Sequence, residues 1–208
     1  MEISSYNILT NKGELLPNLC SSSPVRLTVW CKSLLFHGDG YTVFNDSDGH
    51  IVFRVDNYAH GRWNNNEMVL MGPRGHVHLT IRHCKKILSF TESWEIYKGD
   101  RDNHSSRLLK EPFLRVTKDL CNSTCTASMA SAIAGNERSG FRLSWSRCDE
   151  WSKIHRLASD EQLVAEINRK FSNSKKILLG EDVLTITVQP GMDQAIVMAL
   201  FMITKFMR

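Results

Sequence analysis

The sequence predicts a mainly β protein, a closed antiparallel barrel of about twelve strands around a central hydrophobic C-terminal helix. Three observations carry that expectation. Apolar and polar residues alternate with period two in run after run from Arg26 onward. Clusters of turn-forming residues separate the runs. The chain then reaches an unbroken apolar stretch from Ala195 to Ile203.

The alternating runs read as strands with one face for a core and one for water. Leu27, Val29 and Cys31 alternate with Thr28, Trp30 and Lys32. Val77, Leu79 and Ile81 alternate with His76, His78, Thr80 and Arg82. Phe141, Leu143 and Trp145 alternate with Arg142, Ser144 and Ser146. Leu163, Ala165 and Ile167 alternate with Val164, Glu166 and Asn168, and Leu184, Ile186 and Val188 with Thr185 and Thr187. Three units share one plan of strand, polar turn and strand. Their turns are Asn45–Gly49, Gly72–Gly75 and Ser159–Glu161.

Pro190-Gly191 breaks the last strand, and a helix is expected over about 192–207. Asp193 suits its first turn, and Lys205 and Arg208 its last, because the helix dipole favours that order of charge. Ile196, Val197, Ala199, Leu200, Phe201 and Ile203 leave no face for water, so protein or lipid must enclose the helix. A bilayer span needs about 20 apolar residues. This run is shorter and ends at a lysine, so it is expected not to cross a membrane. A sheet closed around the helix buries it and removes unpaired strand edges. Residues 1–24 read as a tail, and 25–208 as one domain.

The chain has 208 residues, 42% hydrophobic and 23% charged, which is globular composition. The formal charge of +4 permits an anionic partner without requiring one. Met1–Cys20 lacks a secretory pattern, so an intracellular protein with thiols rather than disulfides is expected, cytoplasmic or peripheral to a membrane, with the nucleus left open. Matches to N-x-S/T at Asn45, Asn103 and Asn122 then carry no meaning.

Motifs of catalysis are absent: no nucleophile elbow, P-loop, dinucleotide fingerprint or zinc-protease signature. His76-x-His78 and Cys121-x3-Cys125 have metal-compatible spacing but lack completing ligands. Asp46-x-Asp48-Gly49 resembles part of a calcium loop, yet Phe44 and Val55 fall where ligands belong, so a hairpin turn is expected. Neither a cofactor nor a metal is expected. Basic residues cluster at Arg82, Lys85 and Lys86, at Arg138, Arg142 and Arg147, and at Arg169, Lys170, Lys175 and Lys176. Such clusters are ordinarily solvated surface. As an anionic-headgroup site, the candidates are Arg82, Lys85, Lys86, Arg142, Lys175 and Lys176. No alternation of aromatic and basic residues marks a nucleic-acid platform.

Val29–Phe36, Gly40–Phe44, Val52–Tyr58, Glu67–Met71, Trp94–Gly99 and Val188–Ala195 occur in the order and character of the plant LURP-one-related family, which this chain resembles over about Val25 to Arg208. The resemblance implies the tubby C-terminal-like fold shared with phospholipid scramblases, twelve antiparallel strands around a hydrophobic helix. It implies a role in defence against pathogens and no defined biochemical activity. Tubby domains bind phosphoinositides, which lends the basic clusters their lipid reading. Of the acidic calcium segment of scramblases only Glu181-Asp182 remains. The stretch 59–66 departs from the family, as does 121–136, where a strand is hard to place. The function expected is a non-enzymatic adaptor, a monomer with an unknown protein partner; the alternative is a module binding anionic phospholipid at a membrane surface.

Overall fold

In the computed structural model, twelve strands close one antiparallel barrel, and the C-terminal helix runs inside it. The structure describes residues 19–31, 40–57, 67–84, 92–100, 111–119, 123–129, 140–146, 151–157, 160–171 and 179–207. The strands are β1 Val25–Trp30, β2 Gly40–Asn45, β3 Ile51–Asn57, β4 Glu67–Met71, β5 Val77–Cys84, β6 Ser93–Lys98, β7 Leu114–Lys118, β8 Thr124–Met129, β9 Gly140–Trp145, β10 Ser152–Leu157, β11 Gln162–Arg169 and β12 Val183–Val188. Each pairs with its sequence neighbours, and β1 pairs with β12 from Val25↔Val188 to Trp30↔Val183 to shut the cylinder. The region 121–136, hard to read by eye, contains β8; its alternation rests on Cys125 and Ala127, small residues that signal weakly.

Strand direction gives the barrel two distinct ends. Connections β2–β3, β4–β5, β6–β7, β8–β9 and β10–β11 lie at the end where the helix starts. The remaining connections lie at the end where it stops.

The helix, α1, spans Gln194–Met207. Ala195 through Ile203 are each no more than 1% exposed. Leu27, Val43, Phe53, Leu79, Ile96, Leu143 and other inward residues of the wall pack around it. Asp193 is the N-cap rather than a first-turn residue. Its fully buried carboxylate accepts from the N–H of Ala195 at 2.8 Å and of Ile196 at 3.3 Å, satisfying donors that a helix start leaves open. Gly191 turns the chain into the mouth at φ 72°, a conformation other residues resist. Its N–H donates to the Ser21 carbonyl at 2.8 Å, Cys20 bridges to Asp193, and Leu19 packs on the core. The described part of the 1–24 segment is thus fastened beside the helix start. At the other end Lys118, inward on β7, donates to the Met207 carbonyl at 2.9 Å and balances the negative pole of the helix.

Each of the three strand–turn–strand units carries a β-bulge. Pairing jumps from Val43↔Phe53 to Phe44↔Ile51, from Leu70↔Leu79 to Met71↔Val77, and from Ile154↔Ala165 to His155↔Leu163. Val52, His78 and Val164 are the extra residues. The third bulge corrects the alternation read for β11: Val164 is 3% exposed and belongs to the core, while Leu163 is only half-buried. The second corrects the histidine pair. His76 precedes the strand and is exposed, and His78 is the bulged residue, set edge-on to Phe53 at 5.9 Å between ring centroids.

The Asn45–Gly49 turn is held by its own side chains. Asn45 Oδ1 accepts from the Ser47 N–H at 3.0 Å, and Asp48 Oδ1 from the His50 N–H at 2.9 Å. The Asp46 carboxylate accepts from Lys170 and from Thr28 Oγ1, tying β11, β1 and the turn together across the outer wall. Burial would raise this carboxyl. The hydrogen bonds from Lys170 and Thr28, with the charges of Lys170 and Arg26, outweigh it and hold Asp46 below the usual aspartate range.

Ala199→Asp would place an unpaired carboxylate inside the barrel. The expected outcome is loss of soluble, cooperatively unfolding protein, read by thermal melts; an unchanged melt would mean the helix is not enclosed. A depressed carboxyl stabilises the fold above its unfolded pKa and loses that contribution as pH falls through its folded one. Asp46→Asn should therefore cost about 1–3 kcal/mol at neutral pH, and the gap to wild type should close as pH falls below ~3.9. Urea titrations across that range check the sign.

Candidate functional site

With the interior occupied by α1, the surfaces left for recognition are the rims and the outer wall. The six core-helix residues singled out from sequence all lie in the filling: Ile196 at 1% exposure, and Val197, Ala199, Leu200, Phe201 and Ile203 at 0%.

The basic candidates do not converge. Arg82 is on β5, in register with Glu67 of β4 and Glu95 of β6. Arg142 is on β9, paired with Glu161 at 3.4 Å. Three strands separate β5 from β9 around the wall, so the two arginines do not share one site. Lys85, Lys86, Lys175 and Lys176 lie outside the described residues, as do Arg138 and Arg147. Other bases are also paired: Lys153 with Glu166 at 3.6 Å, and Arg169 with Glu181 at 3.5 Å.

A second polar network lies on the outside of β5–β7. Glu95 accepts from the Tyr97 hydroxyl at 2.6 Å and from Arg115 at 3.0 Å. Burial pushes the Glu95 carboxyl up, but bonds from Tyr97, Cys84 and Arg115 prevail and lower it. Both carboxylate oxygens are engaged, so this glutamate is built as a strand tie rather than as a free base.

The four described thiols are unactivated. No disulfide joins Cys20, Cys31, Cys84 and Cys125, while Cys121 and Cys148 lie outside the described residues. Burial is the largest cause raising the pKa of all four, and it pushes Cys125 to about 12. A thiol held protonated is a poor nucleophile and a poor metal ligand. His76 and His78 do come together, rings edge to face at 5.4 Å between centroids. Burial and the neighbouring His76 lower the pKa of His78. Among the described residues no third ligand joins them.

One surface feature was not picked out from the sequence. The large apolar side chains exposed among the described residues are Trp30 at 38%, Phe171 at 56% and Leu179 at 37%. Trp30 pairs with Val183, whose carbonyl accepts from the Lys170 N–H at 3.1 Å. The Lys170 carbonyl in turn accepts from the Leu179 N–H at 2.9 Å, and Phe171 follows Lys170. Backbone pairing thus gathers the three across about two strand spacings, ~10 Å, at the end where the helix stops. The available signal was parity: Trp30 falls on the water-facing side of β1, with Thr28. No helix among the described residues is long and apolar enough to cross a membrane.

Residues 25–205 match the LURP-one-related family. Protein LURP-one-related 3 of Arabidopsis thaliana is 31% identical over 195 residues, covering 93% of this chain and 84% of that protein. Protein LURP-one-related 8 of the same plant is 33% identical over 187 residues, 89% of each chain. An X-ray structure of an Arabidopsis thaliana protein superposes with a TM-score of 0.65 at 18% identity, over 94% of this chain and 98% of that one, a likeness of fold. A barrel of twelve strands filled by its own C-terminal helix, with a family match over nearly all of that barrel, means that the chain belongs to the LURP-one-related family.

Proposed function

We propose that this protein is a non-enzymatic interaction module acting inside the cell, with a place in plant defence or stress signalling that its family suggests. The observation that carries this reading is the filled interior: a barrel plugged by nine buried helix residues from Ala195 to Ile203 offers its partners only an outer surface. Protonated thiols and carboxylates committed to strand ties support the same view. A second reading, a module on an anionic phospholipid surface, is favoured by the exposed group of Trp30, Phe171 and Leu179.

Proximity labelling in plant cells should enrich a fixed set of proteins over a labelling-enzyme control. Saturable turnover by the purified chain on hydrolase or transferase substrate panels would overturn the non-enzymatic reading. Iodoacetamide at neutral pH should modify Cys20, Cys31 and Cys84 slowly and Cys125 only after unfolding; any of the four reacting faster than free cysteine would mark an activated nucleophile. For the second reading, the chain should sediment with phosphatidylserine vesicles at low salt and be released as salt rises. Failure to sediment at low salt removes it.

A further inference from the structure

Ser23-Pro24-Val25-Arg26 stands where the segment before the barrel joins β1. Of the five prolines in the chain, Pro24 is the one preceded by a serine or threonine. Ser22, Ser23, Pro24 and Arg26 are all exposed. Among the described residues Ser23 hydrogen-bonds to nothing but Ser21: its N–H donates to Ser21 Oγ at 3.2 Å, and the two hydroxyls stand 3.4 Å apart. The Ser23 hydroxyl is therefore open to a second substrate. Val25 and Arg26 already lie in extended backbone, and Arg26 points outward, opposite in parity to the buried Leu27.

A substrate groove with no acceptor facing the residue after the serine admits proline, which has no N–H to leave unpaired, and penalises other residues. A cation two places beyond the proline adds a charge-assisted contact to an acidic groove. Serine, proline and a base in that spacing are the substrate chemistry of a proline-directed protein kinase. The segment so marked is fastened at the helix start: Leu19 packs on the core, Cys20 bridges to Asp193, and the Ser21 carbonyl accepts from the Gly191 N–H at 2.8 Å. A phosphate on Ser23 carries about 1.5–2 negative charges at pH 7. It crowds the contact with the Ser21 hydroxyl, is repelled by the Asp193 carboxylate that Cys20 faces, and is attracted to Arg26 on the outer wall. All three effects draw the segment from the mouth toward the wall.

We infer that Ser23 is a phosphorylation site for a proline-directed kinase and that its phosphate frees Leu19–Ser21 from the start of α1. In the transfer Ser23 Oγ bonds to the γ-phosphorus of ATP, the bond from that phosphorus to the ADP oxygen breaks, and the hydroxyl proton passes to the kinase's base. The products are phosphoserine and ADP.

The test is incubation of the full folded chain with a recombinant cyclin-dependent kinase and ATP, read by intact mass and peptide mapping. One phosphate on Ser23 is expected; Ser22→Ala should match wild type and Ser23→Ala should take none. Pro24→Ala should be modified about ten-fold more slowly or worse, since one unpaired N–H costs that much. Iodoacetamide should reach Cys20 faster in the phosphorylated chain, with Cys125 still protected as the sign of an intact barrel. A folded chain that takes no phosphate at Ser23, or takes it as fast in Pro24→Ala, overturns the site, as does a chain phosphorylated only after unfolding. Phosphate on Ser23 with unchanged alkylation of Cys20 overturns the release of the segment. Should Pro24→Ala fail to fold, Arg26→Ala takes its place: slower phosphorylation is expected, and an equal rate counts against the site.

Discussion

A helix with no polar side has one requirement, enclosure, and the whole molecule answers to it. Each larger apolar side chain of α1 moved from water is worth about 1.5–3 kcal/mol of gross burial, opposed by the entropy of ordering the chain. No single sheet face could cover Ile196, Val197, Leu200 and Phe201 together, since they point in different directions around the axis. A cylinder can. The helix ends then become the delicate points, because their open N–H and C=O groups stand at the mouths. Asp193 answers the first and Lys118 the second. One is a buried carboxylate and the other an inward lysine on a wall strand, and both are explained by helix electrostatics without any catalytic role.

Much of this was legible in the residues. Period two in β1, β9 and β12 survived into the fold because those strands pair without interruption. β11 and the start of β5 did not, because a bulge inserts one residue and flips the parity of the strand beyond it; Val164 entered the core where Leu163 was expected. β8 was faint because its inward residues, Cys125 and Ala127, are small. The start of its partner β9 is fixed only in three dimensions: a Cβ at Gly140 would stand 2.3 Å from the Ala127 carbonyl oxygen, so that position takes glycine.

Recognition was harder to read, and for a different reason. A cluster of basic residues in sequence says nothing about which wall strand carries it or which acid opposes it. Arg142 and Lys170 looked equally available until Glu161 and Asp46 were placed beside them. The exposed aromatic rim came from the reverse situation. Trp30 and Phe171 are ordinary core types by composition, and only their positions at the end of β1 and after β11 expose them. Parity was available for Trp30, but pairing of Lys170 with Val183 was needed to bring Phe171 and Leu179 alongside.

The β1–β12 seam has a further consequence for how the molecule comes into being. The first strand made by the ribosome must wait for the last one before the wall can shut, and the plug is synthesised later still. Until the helix emerges, all twelve strands can have hairpin partners yet surround nothing, with Leu27, Phe53 and Ile96 open to water. An apolar wall left open for that interval is the kind of surface that favours aggregation, and a chain stopped before the helix would keep that wall without the plug that covers it.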